Sequence, residues 1–164
     1  MSDAPHDPIE QMEQEHEQMR LLYAQWRTLC AEQAPPAQRQ AVAEQLCTQL
    51  TIHARLEEEL LDPLAREASG LAPCAADQAR DQVRDLLCRL VQTRPQDPLY
   101  EARVERLCEA IEAHIVTQRE HLFPVLRRCG ADLALLGYRL RERRRELEAV
   151  AEALREEVLV SAVA

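Results

Sequence analysis

Two histidines carry the clearest chemical pattern in this chain, because His53 and His114 lie at the same place in a repeated segment. Glu57 follows His53 by four residues. Residues at that spacing project from one face of an α-helix, about 6 Å apart along its axis. Imidazole nitrogens and carboxylate oxygens suit a divalent first-row metal such as iron, manganese or zinc. The pattern therefore predicts a metal site on the inner face of a helix.

The repeat aligns residues 44–66 (EQLCTQLTIHARLEEELLDPLAR) with residues 105–127 (ERLCEAIEAHIVTQREHLFPVLR). The copies differ within the metal pattern, where Gln118 takes the place of Glu57. A weaker repeat aligns EHEQMRLL at 15–22 with ARDQVRDL at 79–86, which puts Arg80 in the place of His16. The chain is therefore predicted to contain two copies of one helical hairpin, and the second copy lacks potential ligands.

A carboxylate in a helical core is costly to bury unless it is paired, so Glu57 is expected to have a metal or a cationic partner. His16 is predicted to face inward from the first helix, and the candidate metal ligands are His16, His53, Glu57 and His114. Arg80 offers a different partner, since a guanidinium near Glu57 would take the electrostatic role of a second metal. An Arg80–Glu57 ion pair that closes a metal-free core is the alternative.

The elements that must position these residues are all helical. The chain is 46% hydrophobic and 3% aromatic, contains only 3 glycines, and is rich in helix-forming residues. Start and stop signals predict helices at about 8–32, 37–67, 74–92, 99–128 and 131–158, with irregularities at Pro63 and Pro124. Short connections favour antiparallel neighbours. The predicted fold is all-α, an up-down-up-down four-helix bundle of two repeated hairpins plus an extra C-terminal helix.

The predicted organisation is a flexible N-terminus at 1–7, the bundle at 8–130 and a C-terminal helix at 131–164. The apolar stripe of that last helix predicts that it packs on the bundle or forms a homodimer. The sequence has no apolar stretch long enough to span a membrane and no secretory signal, so we expect a cytoplasmic protein with reduced cysteines and no membrane partner. A net charge of −9 argues against a nucleic-acid partner.

Three motifs occur together in one order and helical phase: EHEQM around His16, HARLE at 53–57 and HIVTQREHLFP at 114–124. Through them the chain resembles the hemerythrin-like HHE cation-binding domain family over roughly residues 8–128. The resemblance implies a di-iron centre in the bundle core, with histidines from all four helices and two bridging carboxylates. It implies that His16, His53 and Glu57 supply one iron's ligands and one bridge, and that His114 binds the second iron.

Two departures from the family pattern change the expected function. Arg80 stands at the place of the third-helix histidine, and Gln118 stands at the place of the second carboxylate. We therefore expect one iron per chain rather than two, with zinc or manganese as alternatives. The resemblance implies sensing, storage or protection linked to iron, O2 or nitric oxide (NO), rather than turnover of an organic substrate.

Two other functions stay open. One is a metal-free regulatory or interaction module, a helical bundle in which Arg80 occupies the former second-metal position. The other is a mononuclear non-haem iron enzyme, because two histidines and one carboxylate suit oxygen activation. The sequence identifies no substrate pocket for such an enzyme.

Overall fold

The computed structural model describes residues 7–70, 75–151 and 153. Its helices are α1 (Pro8–Ala31), α2 (Pro36–Leu56), α3 (Asp62–Ser69), α4 (Ala75–Val91), α5 (Tyr100–Thr117), α6 (Phe123–Arg128) and α7 (Leu133–Ala149). Two π-helical segments, Glu57–Leu61 and Gln118–Leu122, connect α2 to α3 and α5 to α6 without a break in the helix. The described residues contain no β-strand, and the predicted all-α class is confirmed.

The two π-helical segments begin and end at aligned positions of the repeat, and each precedes a proline. The N–H of Asp62 bonds to the carbonyl of Glu57 five residues back, and the N–H of Phe123 bonds to the carbonyl of Gln118 in the same way. Proline lacks an N–H and its ring crowds the carbonyl four residues earlier, so a wider turn accommodates it. The predicted irregularity at Pro63 therefore takes the form of a π turn rather than a sharp break.

The C-terminal helix differs from its predicted range at both ends. It begins at Leu133 rather than at 131, because the side chain of Asp132 caps it by accepting a hydrogen bond from the N–H of Leu135. The prediction of an unbroken helix through residue 158 is wrong at Val150, which leaves the helical conformation. Residues 154–158, like the predicted flexible residues 1–6, lie outside the described part of the chain.

The two predicted hairpins are present, because α1 packs along α2 and α4 packs along α5. Two apolar clusters fill the bundle. The first includes Trp26, Leu46, Leu50, Leu107 and Ile111, and the second includes Met12, Ile52, Leu56, Phe123 and Leu126. Along α1, α2 and α5 the candidate ligands lie between residues of these two clusters. The fold thus places polar side chains in a layer between two apolar ones.

The described part of α7 packs on the bundle. Its residues Leu136, Leu140 and Leu147 are buried in the second cluster, and the helix lies against α1 and α2. This packing uses part of the apolar stripe that the sequence analysis singled out. None of the helices in the described ranges has the length and apolar character needed to cross a membrane.

Candidate metal centre

Three of the four predicted ligands form one buried cluster. Potential ligand atoms of His53, Glu57 and His114 all lie within 4.8 Å of one another. Their exposed fractions are only 1%, 1% and 2%, respectively. His53 and Glu57 come from consecutive turns where α2 meets the first π-helical segment, and His114 comes from α5, with its Nε2 at 3.1 Å from Glu57 Oε2. The local i, i+4 spacing and the packing of two repeat copies together create the cluster.

His16 lies next to this cluster but outside it. Its ring centroid is 5.0 Å from that of His53, and it is fully buried. Its Nε2 is 2.6 Å from Gln118 Oε1, so the two side chains share a hydrogen bond. Metal ligation by His16 stays a prediction, since this nitrogen has a protein partner in the structure.

The ring of His53 is held by a residue that the sequence analysis did not single out. Nδ1 of His53 lies 2.8 Å from Oε2 of Glu15 in α1. Because an ionised carboxylate can only accept, Nδ1–H donates this hydrogen bond, and Nε2 is the nitrogen left to bind a metal or a second proton. Nε2 is buried, and within the described part of the chain no group makes a hydrogen bond of ordinary geometry to it, although the side chain of Gln118 lies nearby. This is the arrangement of a metal-binding histidine, whose second nitrogen is fixed by a carboxylate.

The aligned positions of the repeat form two matched pairs across the core. In one pair the amide of Gln118 faces His16. In the other pair Arg80 faces Glu57, with 3.9 Å between Nη1 and Oε1, which agrees with the alternative raised from the sequence. A carboxylate thus faces a permanent cation, and a histidine faces a neutral amide. Gln118 and Arg80, which replace potential ligands in the second copy, therefore each have a polar partner in the first copy.

Residues beside these pairs also differ between the two copies of the repeat. The ring of Phe123 stacks on His16 at a centroid distance of 6.0 Å, whereas the aligned residue of the first copy, Asp62, contacts Arg80. Asp77, one turn before Arg80, also binds its guanidinium at 2.8 Å. The Arg80 side of the core is therefore an ion-pair cluster. The i, i+3 spacing of Asp77 and Arg80 was a sequence signal for one of these contacts.

Burial and neighbouring charges set the protonation of the cluster. Burial, together with the nearby charge of His53, lowers the pKa of His16 to about 4, which keeps its ring neutral. For Glu57 burial acts to raise the pKa, but the hydrogen bond from His114 and the charges of His114, His53 and Arg80 outweigh it and lower the pKa. Glu57 is therefore ionised, the state in which a carboxylate binds a metal.

The pKa of His53 is raised, whereas those of His16 and Glu57 are lowered. Burial acts to lower its pKa, but the hydrogen bond to Glu15, and the charges of Glu15 and Glu57, outweigh burial and raise the pKa. A bound metal would take the place of the second proton on this ring, because both compete for the Nε2 lone pair.

The donor set fits one metal ion. Two imidazoles and a carboxylate suit a first-row divalent cation, and a buried nitrogen without a partner calls for an occupant. The second copy offers fewer donors for a further metal. The aligned places hold the Gln118 amide and the Arg80 guanidinium, and a guanidinium has no lone pair to give.

A helical bundle with a buried imidazole–carboxylate cluster defines a class of metal-binding proteins, and comparison of the sequence with protein families makes that class specific. The family described as hemerythrin HHE cation binding domain matches residues 7–126. The chain belongs to this family, as its motifs predicted, and cation binding is the function that the family describes. No curated protein and no solved structure matches the chain significantly.

Proposed function

We propose that this protein binds one iron ion per chain through His53, Glu57 and His114, with His16 as a neighbouring fourth candidate. One observation carries the proposal: Nε2 of His53 is buried without a hydrogen-bonding partner and belongs to a cluster that also offers a carboxylate and a second imidazole. Leaving such a nitrogen unpaired costs about 1–3 kcal/mol, and coordination removes that cost.

The proposed role is sensing, storage or protection linked to iron, O2 or NO. Iron held by two histidines and a carboxylate keeps coordination positions open for small ligands. The burial of all three side chains favours a diatomic molecule over an organic substrate, because no more than 2% of any of them is exposed. The single iron follows from the Arg80 side of the core, where a cation of the protein itself already faces Glu57.

The test is metal content after purification without chelators and after anaerobic loading with Fe²⁺. We expect about one iron per chain, a stoichiometry set by the single donor set. His53→Ala should abolish it. His121→Ala is the matched control, since His121 is a half-exposed histidine on the same helical hairpin as His114. Two metals per wild-type chain, or equal losses in both variants, would contradict the proposal.

A second function is favoured by a different observation. His114 bonds to Glu57, His16 bonds to Gln118, and Arg80 is held by acidic side chains, so most polar groups of the core have partners from the protein. These contacts support a metal-free bundle that acts as a regulatory or interaction module. A wild-type protein that stays free of iron, zinc and manganese after loading, with unchanged thermal stability, would select this function.

A further inference from the structure

A chain of three side chains connects the C-terminal helix to the candidate metal centre. Nη1 of Arg144 in α7 lies 2.8 Å from Oε1 of Glu15, and the other oxygen of Glu15 accepts the hydrogen bond from Nδ1 of His53. Burial increases along the chain, from 24% exposure of the Arg144 side chain to 11% for Glu15 and 1% for His53. Arg144 on α7 is thus connected to the buried candidate ligand His53 through the carboxylate of Glu15.

Arg144 itself is placed by the packing of α7. Its Nε binds Glu148 at 3.0 Å, one turn further along α7, and its guanidinium also contacts Gln49 of α2. The guanidinium therefore bridges α7, α1 and α2. It reaches Glu15 only while α7 lies on the bundle.

Two further contacts anchor the same face of α7. The amide of Gln11 in α1 donates to the backbone carbonyl of Gly137 at 2.9 Å. Arg143 binds Glu59 of the first π-helical segment, with 2.7 Å between Nε and Oε2. Neighbouring arginines of α7 thus bind the two elements that carry Glu15 and Glu57.

We infer that α7 controls the metal affinity of this protein by holding Glu15 in place through Arg144. The inference rests on the proposed metal binding at His53. Arg144 and Glu15 are positioning residues: Glu15 fixes the tautomer and the ring orientation of His53, and Arg144 fixes Glu15. Linkage is reciprocal, so a metal that binds better when α7 is docked must also stabilise the docking of α7. Displacement of α7 would then release the metal.

The experiment is a competition titration of the full-length protein with Fe²⁺ against a chelator under anaerobic conditions. Loss of a carboxylate that holds a metal-binding histidine typically weakens affinity about 10- to 100-fold, and we expect this for Glu15→Gln. Arg144→Gln should weaken binding about tenfold, and the double variant should bind no more weakly than Glu15→Gln alone, because both substitutions break one chain of contacts. Arg145→Gln is the matched control, since Arg145 pairs with Glu142 on the outer surface of α7.

A second measurement uses the wild-type protein and does not depend on the folding of any variant. Hydrogen exchange of the α7 amides should slow when Fe²⁺ is added, while the first two turns of α5, where Tyr100 and Val104 pack in the first apolar cluster, should change less. Metal binding by the wild type with unchanged exchange in α7, or unchanged affinity in a folded Arg144→Gln variant, would overturn the role of α7. Absence of metal binding by the wild type would instead overturn the proposed function on which this inference rests.

Discussion

Replacing Arg80 with Met tests whether the positive charge of Arg80 stabilises the core at the position where a second metal would lie. The guanidinium of Arg80 lies between Asp62, Asp77 and Glu57, and its side chain is only 10% exposed. Methionine keeps most of the volume and removes the charge. Glu57 then keeps one hydrogen bond from His114 and loses the cation that faces its other oxygen.

The size of the effect follows from burial. Removing one partner of a buried ion pair costs about 3–5 kcal/mol, because the remaining charge is left uncompensated. For a domain of this size each 1 kcal/mol shifts the melting temperature by about 2–4 °C, so metal-free Arg80→Met should melt roughly 6–20 °C lower. A metal beside Glu57 would supply the missing positive charge. Saturating Fe²⁺ should therefore reduce the loss, and the variant should bind the metal about tenfold more tightly, a difference of about 1.4 kcal/mol.

The assay is urea and thermal unfolding of chelator-treated protein followed by circular dichroism, repeated with Fe²⁺ under anaerobic conditions. Arg84→Met is the matched control, one turn further along α4. Arg84 pairs with Glu58 at the surface, at 3.3 Å and with both side chains nearly half exposed. Surface pairs of this kind contribute about 0–1 kcal/mol.

The reasoning is refuted if metal-free Arg80→Met loses no more stability than Arg84→Met, because the Arg80 cluster would then not hold the core together. A loss of stability of the expected size that Fe²⁺ does not reduce would distinguish the role of the ion-pair cluster from metal binding. It would confirm the ion-pair cluster and contradict metal binding beside Glu57.

Rebuilding the missing ligands with Arg80→His and Gln118→Glu together should raise the iron content measured by elemental analysis from one to two per chain, and an unchanged content would contradict the account of the second copy. Leu56→Ala, at a fully buried position next to Glu57, should cost about 2–5 kcal/mol in urea unfolding and leave the iron content at one; a cost under 1 kcal/mol would show that the core relaxes around it. Burial, helped by the nearby Cys47, raises the pKa of the Cys108 thiol to about 12, so this thiol is protonated at about pH 8. It should therefore resist aromatic disulfide reagents until the protein unfolds. Modification of Cys108 in the native protein would contradict this expectation.

Local spacing made much of the candidate site predictable. The four-residue separation of His53 and Glu57 fixes their common helical face whatever the tertiary fold, and the repeat places His114 in the equivalent position of the second hairpin. The alignment also put Arg80 in the place of His16, and the hypothesis that Arg80 lies near Glu57 agrees with the 3.9 Å between the two side chains. Repeat copies pack in equivalent ways, so aligned residues meet equivalent partners.

The contacts of Asp62 could not be predicted by the same reasoning. Asp62 follows Glu57 by five residues, and a regular α-helix would turn it about 140° away from that face. The π turn makes five residues close to one full turn, so Asp62 reaches Arg80 together with Glu57. An extra residue in one turn changes the phase of everything that follows, and the sequence signals it only indirectly through Pro63.

The sequence by itself determined the all-α class, the two hairpins, the family and the buried pairing of His53 with Glu57, because each of these depends on local periodicity or on the internal repeat. Only the tertiary structure decided that Glu15 holds His53 and that Arg144 of α7 holds Glu15. Glu15 and Arg144 lie in helices far apart along the chain, and each alone reads as a solvated charge. Their role arises because α7 packs across α1 and α2 and shields most of both side chains from water, and local sequence pattern does not encode that packing.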